Sequence, residues 1–166
     1  VRYGNVMGSR GSIIPLFFKL SQDEKNYLPI TDPEMTRFMI TLEQGVKYVW
    51  KSIENMKGGE IFIKKLPSMN ILEIAKVVAP NLKHKIIGIR PGEKIHEQMI
   101  SADDALNTYE EDDQYIILPT FTDKYLLKGK KVEEGFSYKS DTNSEWMASD
   151  QLSDWLNKNK NRFDRI

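Results

Sequence analysis

An α/β fold is what this sequence predicts, and three observations carry the prediction. Short apolar runs of strand length alternate with longer segments whose apolar residues recur at helical spacing. Two of the helical segments open with a capping signal. The strands are too few for a complete doubly wound sheet. With 166 residues, 40% hydrophobic and 29% charged, the chain has room for one domain with a sizeable core.

Residues 1–4 read as the end of a strand leading into a glycine-rich turn. Ser12 can cap a short helix through Phe17 to Leu20, and Pro15 is tolerated there because it falls in the first turn. Residues 28–31 read as a short strand. The clearest helix follows: Thr41 and Gln44 form a capping box, Leu42, Val46, Val49, Trp50 and Ile53 make an apolar stripe, and Gly58-Gly59 ends it. Residues 60–64 (EIFIK) alternate as a strand. Asn70 and Glu73 form a second capping box for a helix over 70–79 that Pro80 stops. Residues 84–90 (HKIIGIR) are a strand ending in the turn Arg90-Pro91-Gly92-Glu93, and 115–118 and 135–138 are strand-like. A last amphipathic helix runs from a Ser149 cap through Leu152, Trp155 and Leu156, while 119–148 shows no strong period.

Composition excludes several classes of function. The net charge is zero, so no global field recruits nucleic acid or an anionic membrane. Residues 1–83 hold 12 Lys/Arg against 8 Asp/Glu, a mildly basic half that suits an anionic small ligand. Without cysteine there is neither a disulfide framework nor a thiolate metal site, and a reducing, cytoplasmic setting is expected. The longest apolar run, 13–18, is far below membrane-spanning length, and no signal peptide is visible. The chain starts at Val1 inside a strand, without Met, which predicts a piece of a longer protein.

Glycines 4, 8 and 11 raise the question of a dinucleotide-binding loop. That loop needs a second strand and then an acidic residue about twenty positions on, for the ribose. Here Asp23 and Glu24 arrive in a polar loop with no strand before them, so the fingerprint fails on context. His84 and His96 leave only a lone E-x-x-H with Glu93, half of a paired metal site. Residues 110–113 (EEDD) lack the alternation and central glycine of a calcium loop and read as a solvated turn. There is no G-x-S-x-G, and no tyrosine has a lysine four residues later.

Binding is more legible than catalysis. Arg90 and Glu93 share one tight turn, where Pro91 fixes φ and Gly92 permits the reversal, so both charged heads can project to one side. A guanidinium fork suits a phosphate, and a carboxylate accepts two neighbouring ribose hydroxyls. That pair matches a nucleoside diphosphate, and Arg37 is a candidate second phosphate ligand. A plain surface salt bridge between Arg90 and Glu93 is the competing reading.

Taken in order, V-R-Y-G-N-V-M-G-S-R-G-S, P-I-T-D-P-E-M-T-R-F, G-G-E-I-F-I, I-I-G-I-R-P-G-E-K-I-H-E and S-D-T-N-S-E-W closely resemble the C-terminal half of the inverting UDP-N-acetylglucosamine 4,6-dehydratases. These enzymes start pseudaminic acid synthesis, in polysaccharide biosynthesis and flagellin glycosylation. They belong to the extended short-chain dehydrogenase/reductase superfamily. The resemblance runs from Val1 to about Trp146. It implies that residues 1–20 are the end of a Rossmann sheet and the crossover to the substrate side. Residues 21–148 would form the smaller mixed α/β substrate-binding region, and 149–166 a C-terminal helix and tail.

The resemblance also implies site roles. Asn5 contacts the substrate and Val6 lies against the nicotinamide of NADP through its backbone. Arg10, Gly11, Ser12, Ile13 and Ile14 line the UDP-sugar pocket, Arg37 and Arg90 hold the diphosphate, and Glu93 takes the uridine ribose. The implied chemistry is oxidation at C4 by NADP, loss of water across C5–C6 and return of hydride to C6, with inversion at C5. No metal is implied. The family's Tyr-x-x-x-Lys pair, acid/base pair and cofactor glycine loop precede the R-Y-G-N motif, and none is in this sequence. The fragment alone is therefore expected to be inactive, and the intact protein a homo-oligomer. The exposed apolar side of a truncated sheet should also favour association. Two alternatives stay open: another nucleotide-sugar epimerase or retaining dehydratase, or a non-catalytic nucleotide-sugar-binding or assembly module.

Overall fold

The computed structural model describes residues 1–23, 26–120, 129–159 and 161; Glu24 and the rest of the expected tail lie outside the described residues. The first part of the chain forms β1 (Asn5–Val6), α1 (Ile13–Gln22), β2 (Tyr27–Ile30), β3 (Thr36–Ile40) and α2 (Leu42–Asn55). It continues through β4 (Ile61–Lys64), β5 (Ser68–Asn70), α3 (Ile71–Val78) and β6 (Lys83–Ile86). The remainder is β7 (Gln98–Ile100), a 3-10 turn (Asp104–Asn107), β8 (Thr108–Glu111), β9 (Gln114–Ile117), β10 (Lys130–Lys131), β11 (Tyr138–Lys139) and α4 (Ser149–Lys158).

Strands group as β1-β3-β5, β10-β8-β9-β4, β11-β7 and β2-β6. The pairs β1–β3 and β2–β6 are parallel, as strand–helix alternation requires, while the β8–β9 hairpin and its β4 neighbour are antiparallel. In β4 the neighbours Phe62 and Ile63 are both buried, on opposite faces of the sheet. Phe62 meets Tyr48 of α2 and Ile116, whereas Ile63 joins Phe38, Tyr115 and Tyr138. The largest core cluster lies elsewhere: Ile14 and Phe17 of α1, Leu28 and Ile30 of β2, Ile71 and Ile74 of α3 and Leu152 of α4 pack together.

Several boundaries move from their sequence positions. The expected strand at 1–4 is instead a single parallel bridge from Arg2 to Ile63, followed by β1 at residues 5–6 beside β3. Gly4 makes that step possible, because a Cβ there would sit 2.5 Å from both the Cβ and the carbonyl oxygen of Phe38. The strand expected over 84–90 stops at Ile86, leaving Ile87 tied by its N–H to Ile30 O at 2.9 Å. Strands β3, β5, β7 and β8 have no counterpart in the sequence reading, being three to five residues long with mixed burial.

Capping holds for α2, where Thr41 Oγ1 accepts from Gln44 N at 3.1 Å and Gln44 Oε1 accepts from Thr41 N at 3.0 Å. For α3, Asn70 caps Leu72 N at 2.7 Å, but Glu73 turns away to Lys76 Nζ rather than closing a box. Helix α4 starts one residue early: Ala148 N–H donates to Gln151 Oε1, and Ser149 is already helical. The stripe on α2 is the larger correction. Leu42, Val46, Trp50 and Ile53 are 50%, 48%, 62% and 52% exposed, and the helix instead buries Gly45, Tyr48 and Ser52. Tyr48 and Ser52 can be buried because each hydroxyl is satisfied, Tyr48 on Gln114 Oε1 and Ser52 on Tyr48 O.

Tyr138 shows how one polar group ties the core. Its buried hydroxyl accepts from Leu66 N at 2.8 Å and donates to Leu66 O at 3.1 Å. Replacing it by Phe orphans the Leu66 N–H and is expected to cost about 1–2 kcal/mol in urea unfolding. Burial, opposed by the Leu66 bond, pushes the Tyr138 phenol up to about 12. Its contribution to stability is thus complete below the ordinary tyrosine value near 10 and is lost as pH rises through about 12. Tyr138→Phe should flatten the alkaline limb of the stability curve; an unchanged limb would refute that assignment.

Candidate functional site

A cavity of about 300 Å³ opens where β1, the start of α1, β2, β3 and the turn after β6 meet. Its walls are apolar where Ile14, Phe17, Met35, Met39 and Ile71 face inward, with a few polar groups set among them. Nine of the ten residues singled out in the sequence line it: Asn5, Val6, Gly11, Ser12, Ile13, Ile14, Arg37, Arg90 and Glu93.

Arg10 is the exception. It is exposed and does not line the cavity. The turn is drawn tight by Ser9 N–H to Val6 O at 3.1 Å and Ser12 N–H to Ser9 O at 3.0 Å, and Gly11 takes φ +77. This reversal puts the neighbouring Arg10 side chain outside while aiming Ser12 and the first turn of α1 inward. The N-terminus of α1 thus faces the cavity with the positive end of its dipole. Ser12 Oγ is buried in the wall with no hydrogen-bond partner among the described residues.

Arg90 and Glu93 come together as the turn predicts, though not as a salt bridge between side chains. Glu93 N–H closes the turn on Arg90 O at 3.0 Å, with Gly92 at φ +81. The Glu93 carboxylate is held from both sides: Oε2 accepts from Arg90 N at 3.2 Å, and Oε1 accepts from Thr31 Oγ1 at 3.4 Å. The Arg90 guanidinium makes no hydrogen bond or ion pair with another described residue, so its donors are available to a ligand.

Arg37 is arranged differently. Nη1 donates to Thr36 O at 2.7 Å and Ile95 O at 2.9 Å, and Nη2 to Lys94 O at 2.8 Å and Met35 Sδ at 3.1 Å. Nε lies 3.4 Å from Glu97 Oε1. Every donor of the guanidinium is engaged within the chain, although the residue lines the cavity. Burial pulls its pKa down, opposed by the nearby carboxylates of Glu97 and Glu93. Beside it, Thr36 Oγ1 lies 2.8 Å from His96 Nδ1 and 2.7 Å from Ser140 Oγ, which accepts from Glu97 N at 2.9 Å. His96 is therefore part of a buried hydroxyl chain that fastens residues 94–97 to β3.

Sequence reasoning missed Thr31. It ends the predicted strand over 28–31 and lines the cavity against Glu93, 62 positions away, so only the parallel β2–β6 pairing reveals it. Outside the cavity, residues 110–113 run from the end of β8 into the β8–β9 turn, where Asp113 pairs with Lys51 and Lys64 and Glu110 with Lys65. No group of three or more His, Asp or Glu able to hold a metal is found among the described residues. No helix among them is long and apolar enough to cross a membrane.

Comparison with known proteins gives a consistent picture. The family described as "Polysaccharide biosynthesis protein" matches residues 1–119. The chain is 53% identical to the UDP-N-acetylglucosamine 4,6-dehydratase (inverting) of a Campylobacter jejuni strain, over 94% of this chain and 50% of that protein. It is 38% identical to the UDP-glucose 4-epimerase of Rickettsia canadensis, over 78% of this chain and 40% of that protein. Among solved structures, Pen from Bacillus thuringiensis superposes with a TM-score of 0.80 at 33% identity, over 96% of this chain and 48% of that one. The chain spans about half the length of the curated relatives it matches.

Proposed function

This chain belongs to the polysaccharide biosynthesis protein family, with the α/β fold of the C-terminal part of an extended short-chain dehydrogenase/reductase, and we propose that its cavity is the UDP-sugar site of an inverting UDP-N-acetylglucosamine 4,6-dehydratase. The observation that carries this reading is the Arg90–Glu93 turn at the cavity wall. One residue offers an unengaged guanidinium and the other a carboxylate fixed by two donors.

The chain's contribution is binding and orientation. Arg90 presents paired donors to the diphosphate, and the positive end of α1 favours the same charge. Glu93 accepts from the two adjacent ribose hydroxyls. Asn5 sits where a sugar amide or hydroxyl could be met, and the walls at Ile14, Phe17 and Met39 exclude water. The apposition of Asn5 and Val6 to β3 fixes both on a strand rather than a loop.

NADP is the cofactor of this reading, and it would supply transient oxidation at the sugar C4. The described residues fit only its edge. Val6 lines the cavity, and its carbonyl already accepts Ser9 N–H, but β2 pairs with β6 and not with β1, so the glycine turn is not the loop of a βαβ unit that would hold the dinucleotide. The catalytic Tyr/Lys pair is likewise not in this chain, so no chemical step is assigned to its residues. The reading places the intact protein in the cytoplasm as a homo-oligomer. Its product would be UDP-2-acetamido-2,6-dideoxy-β-L-arabino-hex-4-ulose, for pseudaminic acid synthesis.

The test is to incubate the complete gene product with UDP-N-acetylglucosamine and NADP and to read the product by NMR. Loss of water with inversion at C5 is expected. Retention at C5 or a C4 epimer would overturn it, the latter favouring the epimerase reading suggested by the Rickettsia relative. Arg90→Ala should weaken UDP about 30-fold, the worth of a charge-assisted phosphate contact, and leave uridine unchanged. Equal losses for UDP and uridine in calorimetry would remove Arg90 from the diphosphate.

A further inference from the structure

The Glu93 carboxylate has one donor from the chain near each oxygen, Arg90 N at 3.2 Å and Thr31 Oγ1 at 3.4 Å, and the second of these comes from a distant strand. We infer that Thr31 is a positioning residue that sets the plane of the Glu93 carboxylate and thereby makes the site select ribose over 2′-deoxyribose. This inference rests on the reading of Glu93 as the ribose ligand.

The fold explains how the two residues meet. Strands β2 and β6 run parallel with Ile30 opposite Ile86, and Ile87 N–H extends the ladder to Ile30 O. The chain after β6 then reverses at Pro91-Gly92, which brings Glu93 back over the end of β2, where Thr31 stands. Thr31 Oγ1–H donates to Oε1 and Arg90 N–H donates to Oε2, so each carboxylate oxygen has one donor from the chain. Each oxygen keeps a free lone pair, and two adjacent hydroxyls are the ligand pattern that fills such a pair.

The torsion that turns a carboxylate about its last bond is broad, so geometry there depends on neighbours rather than on rotamer wells. Arg90 N–H alone pins one oxygen and lets the plane swing about it. The second contact from Thr31 removes that freedom. A threonine suits the task because its branched side chain is stiff and keeps the strand end extended.

The experiment uses calorimetric titration of the complete gene product with UDP and with 2′-deoxy-UDP, for the unmodified protein and four variants. The unmodified protein should prefer UDP by about tenfold, the worth of a hydrogen bond to a charged group. Thr31→Val and Thr31→Ala both lack the hydroxyl, and the second serves if the first does not fold. Either should shrink the preference about fivefold by weakening UDP while leaving 2′-deoxy-UDP unchanged. Thr31→Ser should keep it.

If the hydroxyl-less variants discriminate as well as the unmodified protein, or lose both ligands equally, Thr31 does not act through Glu93. Glu93→Gln separates the two levels. Loss of discrimination in Glu93→Gln with discrimination kept in Thr31→Val would sink the Thr31 inference alone. Full discrimination in Glu93→Gln would instead sink the ribose role of Glu93 itself.

Discussion

Gly4→Ala is expected to cost about 3 kcal/mol or more in urea unfolding, although it adds a single methyl group. The added Cβ would stand 2.5 Å from the Phe38 carbonyl oxygen and 2.8 Å from its carbonyl carbon. Backbone atoms cannot rotate aside as the end of a side chain can, so the strands must separate. Separation breaks the register of Asn5 with Met39 and Val6 with Ile40, which holds both residues at the cavity. UDP affinity should therefore fall together with stability. Two other glycines provide the contrast. Gly11 has open space where a Cβ would go, and its Ala variant should lose only about 1 kcal/mol for the left-handed φ of +77. Gly45, in α2 with its nearest neighbour at 3.9 Å, should gain up to about 1 kcal/mol as Ala. A Gly4→Ala protein as stable as the parent would show that β1 and β3 are not packed this closely.

Arg37→Met is expected to cost about 3 kcal/mol, by removing the clamp between β3 and residues 94–97. Methionine nearly fills the space but offers no donor to Thr36 O, Ile95 O or Lys94 O. Glu97 loses its cation as well. Arg37→Lys should recover only part of the loss, since one ammonium cannot span carbonyls that the flat fork reaches together. Hydrogen exchange offers a local check. The Glu97 amide, now bound to Ser140 Oγ at 2.9 Å, should exchange faster in Arg37→Met than in the parent. Full stability in Arg37→Lys would mean that charge alone, not the donor pattern, is what the segment needs.

Much of the site was legible because its signals are local. The Arg90–Glu93 turn is written in four consecutive residues, and Pro91 and Gly92 fix its geometry wherever the rest of the chain lies. The Thr41–Gln44 box starts α2 for the same reason, since both bonds close within one turn. The glycine turn before α1 leads into a helix whose first residues line the cavity, and β2, the strand after that helix, pairs with β6 rather than with β1.

What stayed hidden depends on residues far apart in sequence. Arg37 reads as a free cation until residues 94–97 come alongside, and then its donors are filled by main-chain carbonyls. Thr31 has no visible role until β2 and β6 pair. The α2 stripe is a real period-3.6 pattern, yet it faces away from the sheet. Tyr48 and Ser52 could be buried only because Gln114 and a helix carbonyl were there to meet their hydroxyls.

The sequence by itself determined the α/β alternation, the starts of α1, α2 and α3 and the tight turn that brings Arg90 and Glu93 together, all matters of neighbouring residues and their torsions. Tertiary structure alone decided which arginine is left with free donors, which face of α2 is buried and which hydroxyl braces Glu93. Burial and hydrogen-bond satisfaction are properties of what packs against a side chain, and here the packing partners lie tens of positions away.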